Sequence, residues 1–370
     1  MTGIREARQA LVAGTDMSTI LAGAEPQALS IDSVVAASRG ILQRLEGAGP
    51  TLQPLLEDPE VTDVLVNGGA GVWVDRGDGL EAVDPGPLAD VDEVRRLAVQ
   101  LAAACGQRLD DAAPIVDGTF PSGTRLHAVL PPLAAEGTFI SLRTQRTRAL
   151  TLDDLERSGT LDRPTRVIVE AMMTAKANVM ISGSTGSGKT TLLSALLGLT
   201  PPDERIIIIE ESAELRPTHP HVIHLQVRHA NVQGAGEVTM STLVRAAMRM
   251  RPDRLILGEC RGPEVRDVLG ALNTGHEGGW ATIHANTATD VPARLVALGA
   301  LASMSEETVA AQAASSLDAV IHIRRGSSGR RVDHIATLER RGSELCSVIA
   351  YECGRPGPAY GTLMDRLGLS

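Results

Sequence analysis

The chain has 370 residues, 43% hydrophobic and only 2% aromatic, with a formal net charge of −10 and a pI near 5.4. That length allows two or three domains, and the scarcity of aromatics leaves their cores to Ala, Val, Leu and Ile. The acidic balance argues against a general nucleic-acid coat and leaves at most a local basic channel; apolar runs stop well short of the ~18 residues a membrane span needs, and no signal-peptide segment opens the chain, so a cytosolic protein is expected. The cysteines, Cys105, Cys260, Cys346 and Cys353, form no C-x-x-C pair, which points to reduced structural thiols and no zinc site.

In chain order, residues 1–50 read as a helical segment, with Leu11, Ile20, Leu21, Val34, Val35, Ile41 and Leu45 loosely spaced at three and four. Residues 51–143 read as an α+β domain. Strands are expected at 61–67 and 71–75 across an Asn67-Gly68-Gly69 turn, a helix at 91–105, and strands at 124–130 and 138–143. A polar stretch rich in Arg and Thr opens a linker over 144–163, with a short helix capped by Thr151 inside it.

From residue 164 to 370, strands and helices alternate as in a parallel-sheet α/β domain. Strands are expected at 177–182, 205–209, 222–227, 255–257, 280–284 and 319–323. Helices are expected at 166–175, 191–197, 239–250, 263–272, 289–301 and 306–316. Strands near 332–338 and 345–351 close the chain as an antiparallel addition.

Within this domain, Gly183-Ser184-Thr185-Gly186-Ser187-Gly188-Lys189-Thr190 is G-x-x-x-x-G-K-T without a mismatch, followed by Thr191. It sits between an apolar strand and a helix former, the context in which glycine-rich amides cradle a phosphate, Lys189 reaches the β/γ-phosphates and Thr190 ligates Mg²⁺. Lys176 and Lys189 are the only lysines, the other 33 of 35 basic residues being arginine. A compact ammonium is thus retained where a guanidinium fork would not serve. Hydrolysis further needs a carboxylate to orient water, and two acidic clusters follow strands. These are Glu210-Glu211 with Glu214, and Glu259 after Leu255-Ile256-Leu257-Gly258. Gly258 stands where many P-loop enzymes carry Asp, so contact of Glu259 with Mg²⁺ is expected through water. His276 and His284 bracket a glycine-rich turn and a strand, and are candidates for sensing the γ-phosphate.

The order of the P-loop, Ile209-Glu210-Glu211-Ser212-Ala213-Glu214-Leu215, Arg251-Pro252-Asp253-Arg254-Leu255-Ile256-Leu257-Gly258-Glu259 and Gly275-His276 through Thr282-Ile283-His284-Ala285-Asn286 resembles the secretion-superfamily ATPases of type II/IV systems. The TadA/CpaF branch, which serves Flp-type pilus assembly, looks most similar. The resemblance implies a RecA-like P-loop ATPase core behind a smaller α+β domain, ATP and Mg²⁺ as nucleotide and cofactor, and a homo-hexamer docking on an inner-membrane platform protein. It assigns Glu214 and Glu259 as catalytic carboxylates, His276 and His284 as a histidine pair, and Arg125 and Arg143 as arginines delivered to the phosphates on closure. Two alternatives remain on sequence alone. One is a conjugation-linked DNA translocase or helicase, for which the chain is short of aromatic stacking platforms. The other is a nucleotide-dependent switch with little turnover.

Overall fold

The computed structural model describes residues 48–77, 79–120, 122–144, 150–228, 236–326 and 329–369, and the helical reading of residues 1–50 falls almost wholly outside them. The chain divides into two compact units between Thr147 and Arg148.

The first unit contains α1 (Gly49–Glu57), β1 (Asp63–Asn67), β2 (Val72–Asp75), β3 (Leu80–Val83), α2 (Val91–Ala104), β4 (Ile115–Thr119), β5 (Arg125–Val129) and β6 (Phe139–Arg143). Its sheet runs β3-β2-β1-β6-β5-β4 with every neighbour antiparallel. Alternate residues Val64, Val66, Leu126, Ala128, Ile140 and Leu142 point to one face and are buried with Val94, Ala98 and Leu101 of α2. Such period-two burial is what an antiparallel sheet covered on one side requires. Asp90 caps α2 by accepting from Asp92 N. β3 and β4 are not visible in the sequence pattern because they are largely exposed edge strands with little apolar alternation.

The second unit begins with α3 (Leu152–Arg157) and α4 (Arg163–Thr174), and continues through β7 (Val179–Ser182), α5 (Lys189–Leu197), β8 (Ile206–Glu210), β9 (Val222–Gln226), α6 (Met240–Ala247) and β10 (Arg254–Cys260). It then runs through α7 (Val265–Asn273), β11 (Trp280–Ile283), α8 (Val291–Leu301), α9 (Glu306–Ser316), β12 (Ala319–Gly326), β13 (Gly329–Arg341), β14 (Glu344–Glu352), β15 (Arg355–Pro356) and α10 (Tyr360–Arg366). The sheet order is β15-β14-β13-β12-β7-β11-β10-β8-β9; β12 through β9 are parallel and β13 to β15 add antiparallel.

The continuous apolar runs of the central strands reflect burial on both faces. In β8, Ile206 and Ile208 join one core with Val179, Ile181 and Leu192, while Ile207 and Ile209 join the opposite core with Met180, Leu257 and Ile283. Leu152, Leu155 and Leu161, within the stretch expected as a linker, contribute to the first of these cores. α3 carries a full capping box between Thr151 and Asp154. Helix α10 follows the antiparallel strands expected to close the chain.

Candidate nucleotide site

The parallel strands deliver their C-terminal ends to one edge, where open α/β sheets bind ligands. The loop after β7 turns through Gly183, Gly186 and Gly188, all at positive φ, and enters α5 at Lys189. Gly183 has a packing reason as well, since a Cβ there would meet the Ile323 carbonyl oxygen at 2.3 Å. Lys189 is 7% exposed, and its Nζ donates to the carbonyls of Gly183 at 2.9 Å and Ser184 at 3.0 Å. Burial pulls its pKa down, while the negative charges of Glu259 and Glu214 act against that shift. Those two carboxylates therefore converge electrostatically on the loop lysine.

Glu214 reaches the site from the segment after β8, and the Thr190 hydroxyl donates to its Oε2 at 3.4 Å. Its backbone is held by Glu210, the buried last residue of β8, whose Oε1 accepts from Glu214 N and Leu215 N, both at 3.0 Å. Charge-assisted bonds of this kind are stronger than neutral ones and fix the chain that carries Glu214. Glu210 escaped the sequence-based reading as an anchor, because the space its side chain fills is left by Gly258, 48 residues further along the chain. A Cβ on Gly258 of β10 would stand 2.7 Å from Glu210 Cγ. Gly258 in place of Asp thus makes room for a carboxylate from the adjacent strand.

Glu259 follows at a local irregularity. Leu257 pairs with Ala281 and Cys260 with Ile283, so Gly258 and Glu259 face the single residue Thr282. Bulges of this kind re-aim side chains beside functional sites, and Thr282 Oγ1 secures this one by donating to Gly258 O at 2.6 Å. Glu259 Oε1 lies 2.6 Å from His284 Nε2, just beyond the end of β11. Partial burial first, and then the positive charge of Lys189, hold the His284 pKa below its usual value; Glu259 opposes them. His284 is accordingly a neutral imidazole near pH 7, with Nε2–H donating to Glu259. Arg261, just after β10, pairs with Glu211, just after β8.

Lys189, Thr190, Glu214, Glu259 and His284 are thus brought together. Ser184, Thr185, Ser187 and Thr191 lie in the loop and first helical turn, Ser187 being fully buried. His276 lies on the turn between α7 and β11, with its Nδ1 enclosed and without a hydrogen-bond partner among the described residues. Arg125 and Arg143 belong to the first unit, where they face each other in register on β5 and β6; Arg143 Nε donates to Asp63 Oδ1 at 2.9 Å. Trp280 is buried at the start of β11, 1% exposed. The donors fit Mg²⁺ and a nucleoside triphosphate: a glycine cradle, an ammonium, a hydroxyl and two carboxylates, with Mg²⁺ typically held by few protein groups plus phosphate and water.

A glycine-cradled phosphate site with carboxylates on neighbouring strand tips defines a P-loop nucleotide-binding core of the α/β class. The chain belongs to the family described as type II/IV secretion system protein, whose profile matches residues 45–355. A Mycobacterium tuberculosis (strain H37Rv) protein named "Putative conjugal transfer protein Rv3659c" is 46% identical over 332 residues, covering 88% of this chain and 94% of that one. The conjugal transfer protein TrbB of Rhizobium radiobacter is 32% identical over 301 residues, covering 80% and 88%. The crystal structure of the pilus retraction motor PilT with bound ADP shares the fold, with a TM-score of 0.53, 22% identity and 85% of each chain covered.

Proposed function

We propose that the protein is a Mg²⁺-dependent ATPase that acts as the motor of a conjugation-type or type IV secretion apparatus. The observation that carries this reading is the G-x-x-x-x-G-K-T loop with Glu214 against the Thr190 hydroxyl and the charges of Glu214 and Glu259 acting on Lys189. The names of the two sequence relatives favour conjugal transfer over Flp/Tad-type pilus assembly, for which no observation speaks separately.

In the proposed reaction the loop amides and Lys189 would hold the triphosphate, and Thr190 with Glu214, and Glu259 through water, would hold Mg²⁺, which would supply charge neutralisation for the phosphates. Glu259 orients and accepts a proton from the attacking water, while neutral His284 fixes the Glu259 carboxylate through Nε2–H. Arg125 and Arg143 are proposed as phosphate-directed arginines, His276 is proposed to follow the γ-phosphate, and completion between neighbouring chains is proposed to make a hexamer. An inner-membrane platform protein is the proposed dock; no helix among the described residues is long and apolar enough to cross a membrane.

Phosphate release by the purified chain tests the reading. Turnover that requires Mg²⁺ and is lost in Lys189→Ala is expected; equal release by Lys189→Ala would overturn it. Light scattering with a non-hydrolysable ATP analogue tests assembly, and a monomer at every concentration would remove the hexamer. Strong stimulation by DNA would instead favour a translocase.

A further inference from the structure

The phosphate loop is gripped from outside its own motif. The β12–β13 hairpin lies against it at several points. Ser182, the last residue of β7, is joined to His322 through Oγ and Nδ1 at 2.9 Å. The Ile323 carbonyl occupies the space beside Gly183. A Cβ on Gly188 would meet Arg330 Cδ at 3.1 Å and Ile323 Cδ1 at 3.4 Å. Arg330 Nε donates to the Gly186 carbonyl at 3.1 Å. The Arg330 stem therefore crosses the loop at Gly188, and its Nε rests against the Gly186 carbonyl.

We propose that Arg330 is a nucleotide-binding residue that brings a guanidinium to the α/β end of the phosphate chain, complementing Lys189 at the β/γ end. The inference deepens the reading of this loop as a triphosphate site and rests on it. The division of labour follows from where each cation is attached. The loop amides cradle the α- and β-phosphates, and the loop lysine reaches the β- and γ-phosphates. Arg330 is tied to the Gly186 carbonyl, before the helix turn that carries Lys189, whereas the charges of Glu214 and Glu259 act on Lys189. A planar guanidinium also suits bidentate contact with phosphate oxygens. Because the α- and β-phosphates are common to ADP and ATP, Arg330 supplies affinity for both. It contributes little to the difference between ground and transition state.

The test is titration of the full-length chain with ADP and with a non-hydrolysable ATP analogue, in parallel for the native protein, R330A, R330K, R330Q and K189A. R330A is expected to weaken both ligands about tenfold, equivalent to about 1.4 kcal/mol, with R330K recovering part of the loss. Unchanged affinity for both ligands in folded R330A overturns the proposal. So does a loss confined to the triphosphate, which would place the guanidinium at the γ-phosphate. If R330A loses its thermal transition, R330K and R330Q at matched thermal midpoints decide: tighter binding by R330K supports the contact, and equal binding overturns it. K189A separates the two levels, since native-like nucleotide affinity there would defeat the triphosphate-site reading itself, however Arg330 behaves.

Discussion

Glu210 and Gly258 meet across β8 and β10 so closely that a Cβ on Gly258 would lie 2.7 Å from Glu210 Cγ. The Glu210 carboxylate cannot swing away without giving up Glu214 N and Leu215 N. Gly258→Ala and Gly258→Asp are therefore expected to displace Glu210 and loosen the chain that carries Glu214. Losing charge-assisted bonds of this type costs about 1.5–3 kcal/mol. A lowered thermal midpoint together with at least a tenfold loss of turnover is the expected result, measured by calorimetry and phosphate release. Gly258→Asp with native stability and activity would show that the adjacent carboxylate is not displaced.

Glu259→Gln keeps the shape of the side chain and removes its basicity. Turnover is expected to fall by roughly 10²–10³, within the range for loss of a general base, while affinity for Mg²⁺-ATP stays within a few-fold. Glu214→Gln is expected to raise the Mg²⁺ concentration needed for half-maximal turnover, because its carboxylate faces the Thr190 hydroxyl. A magnesium titration of each variant distinguishes the two carboxylates.

Three histidines give the protein an acid-sensitive stability. Burial, and then a nearby positive group, lowers the pKa of each: Lys189 for His284, Arg216 for His224 and His334 for His322. In the unfolded chain they titrate near 6.5, so between that value and their folded values the unfolded state binds more protons. Their stabilising contribution is present above about pH 6.5 and is lost as the pH falls through the folded values. The thermal midpoint is expected to drop on acidification from pH 7 to pH 5, and His322→Asn to flatten the drop. Turnover should have an acid limb that His284→Asn alters and His322→Asn does not.

Arg125 and Arg143 stand opposite each other on neighbouring strands, an arrangement of like charges that is unfavourable by itself. Asp63 offsets it on one side by pairing with Arg143. If the two guanidiniums serve phosphate, Arg125→Ala and Arg143→Ala should each cut turnover by about tenfold or more, well inside the effect of a phosphate-directed arginine. Their thermal midpoints should hold or rise. A variant at native turnover would assign its arginine to the surface of the sheet.

The lysine, threonine and glycines of the phosphate loop were legible because their chemistry is written in consecutive residues. A loop of eight residues needs only its flanking strand and helix to become a site. The alternation of strand and helix from residue 164 onward was legible for a similar reason, since period and apolar runs report burial locally. The exposed strands β3 and β4 carried no such signal, and α10 lay beyond the strands taken to end the chain.

By itself, then, the sequence determined the G-x-x-x-x-G-K-T loop between a strand and a helix, the parallel α/β core around it and the glutamates that follow two of its strands, because those depend on residue type and short spacing. Only the tertiary structure decided that Glu210 occupies the space left by Gly258, that a bulge in β10 turns Glu259 toward His284, and that Arg330 crosses the loop from a distant hairpin. Those relations arise when strands far apart in the chain become neighbours in one sheet, and no local pattern encodes which side chain will fill the space that a glycine leaves open.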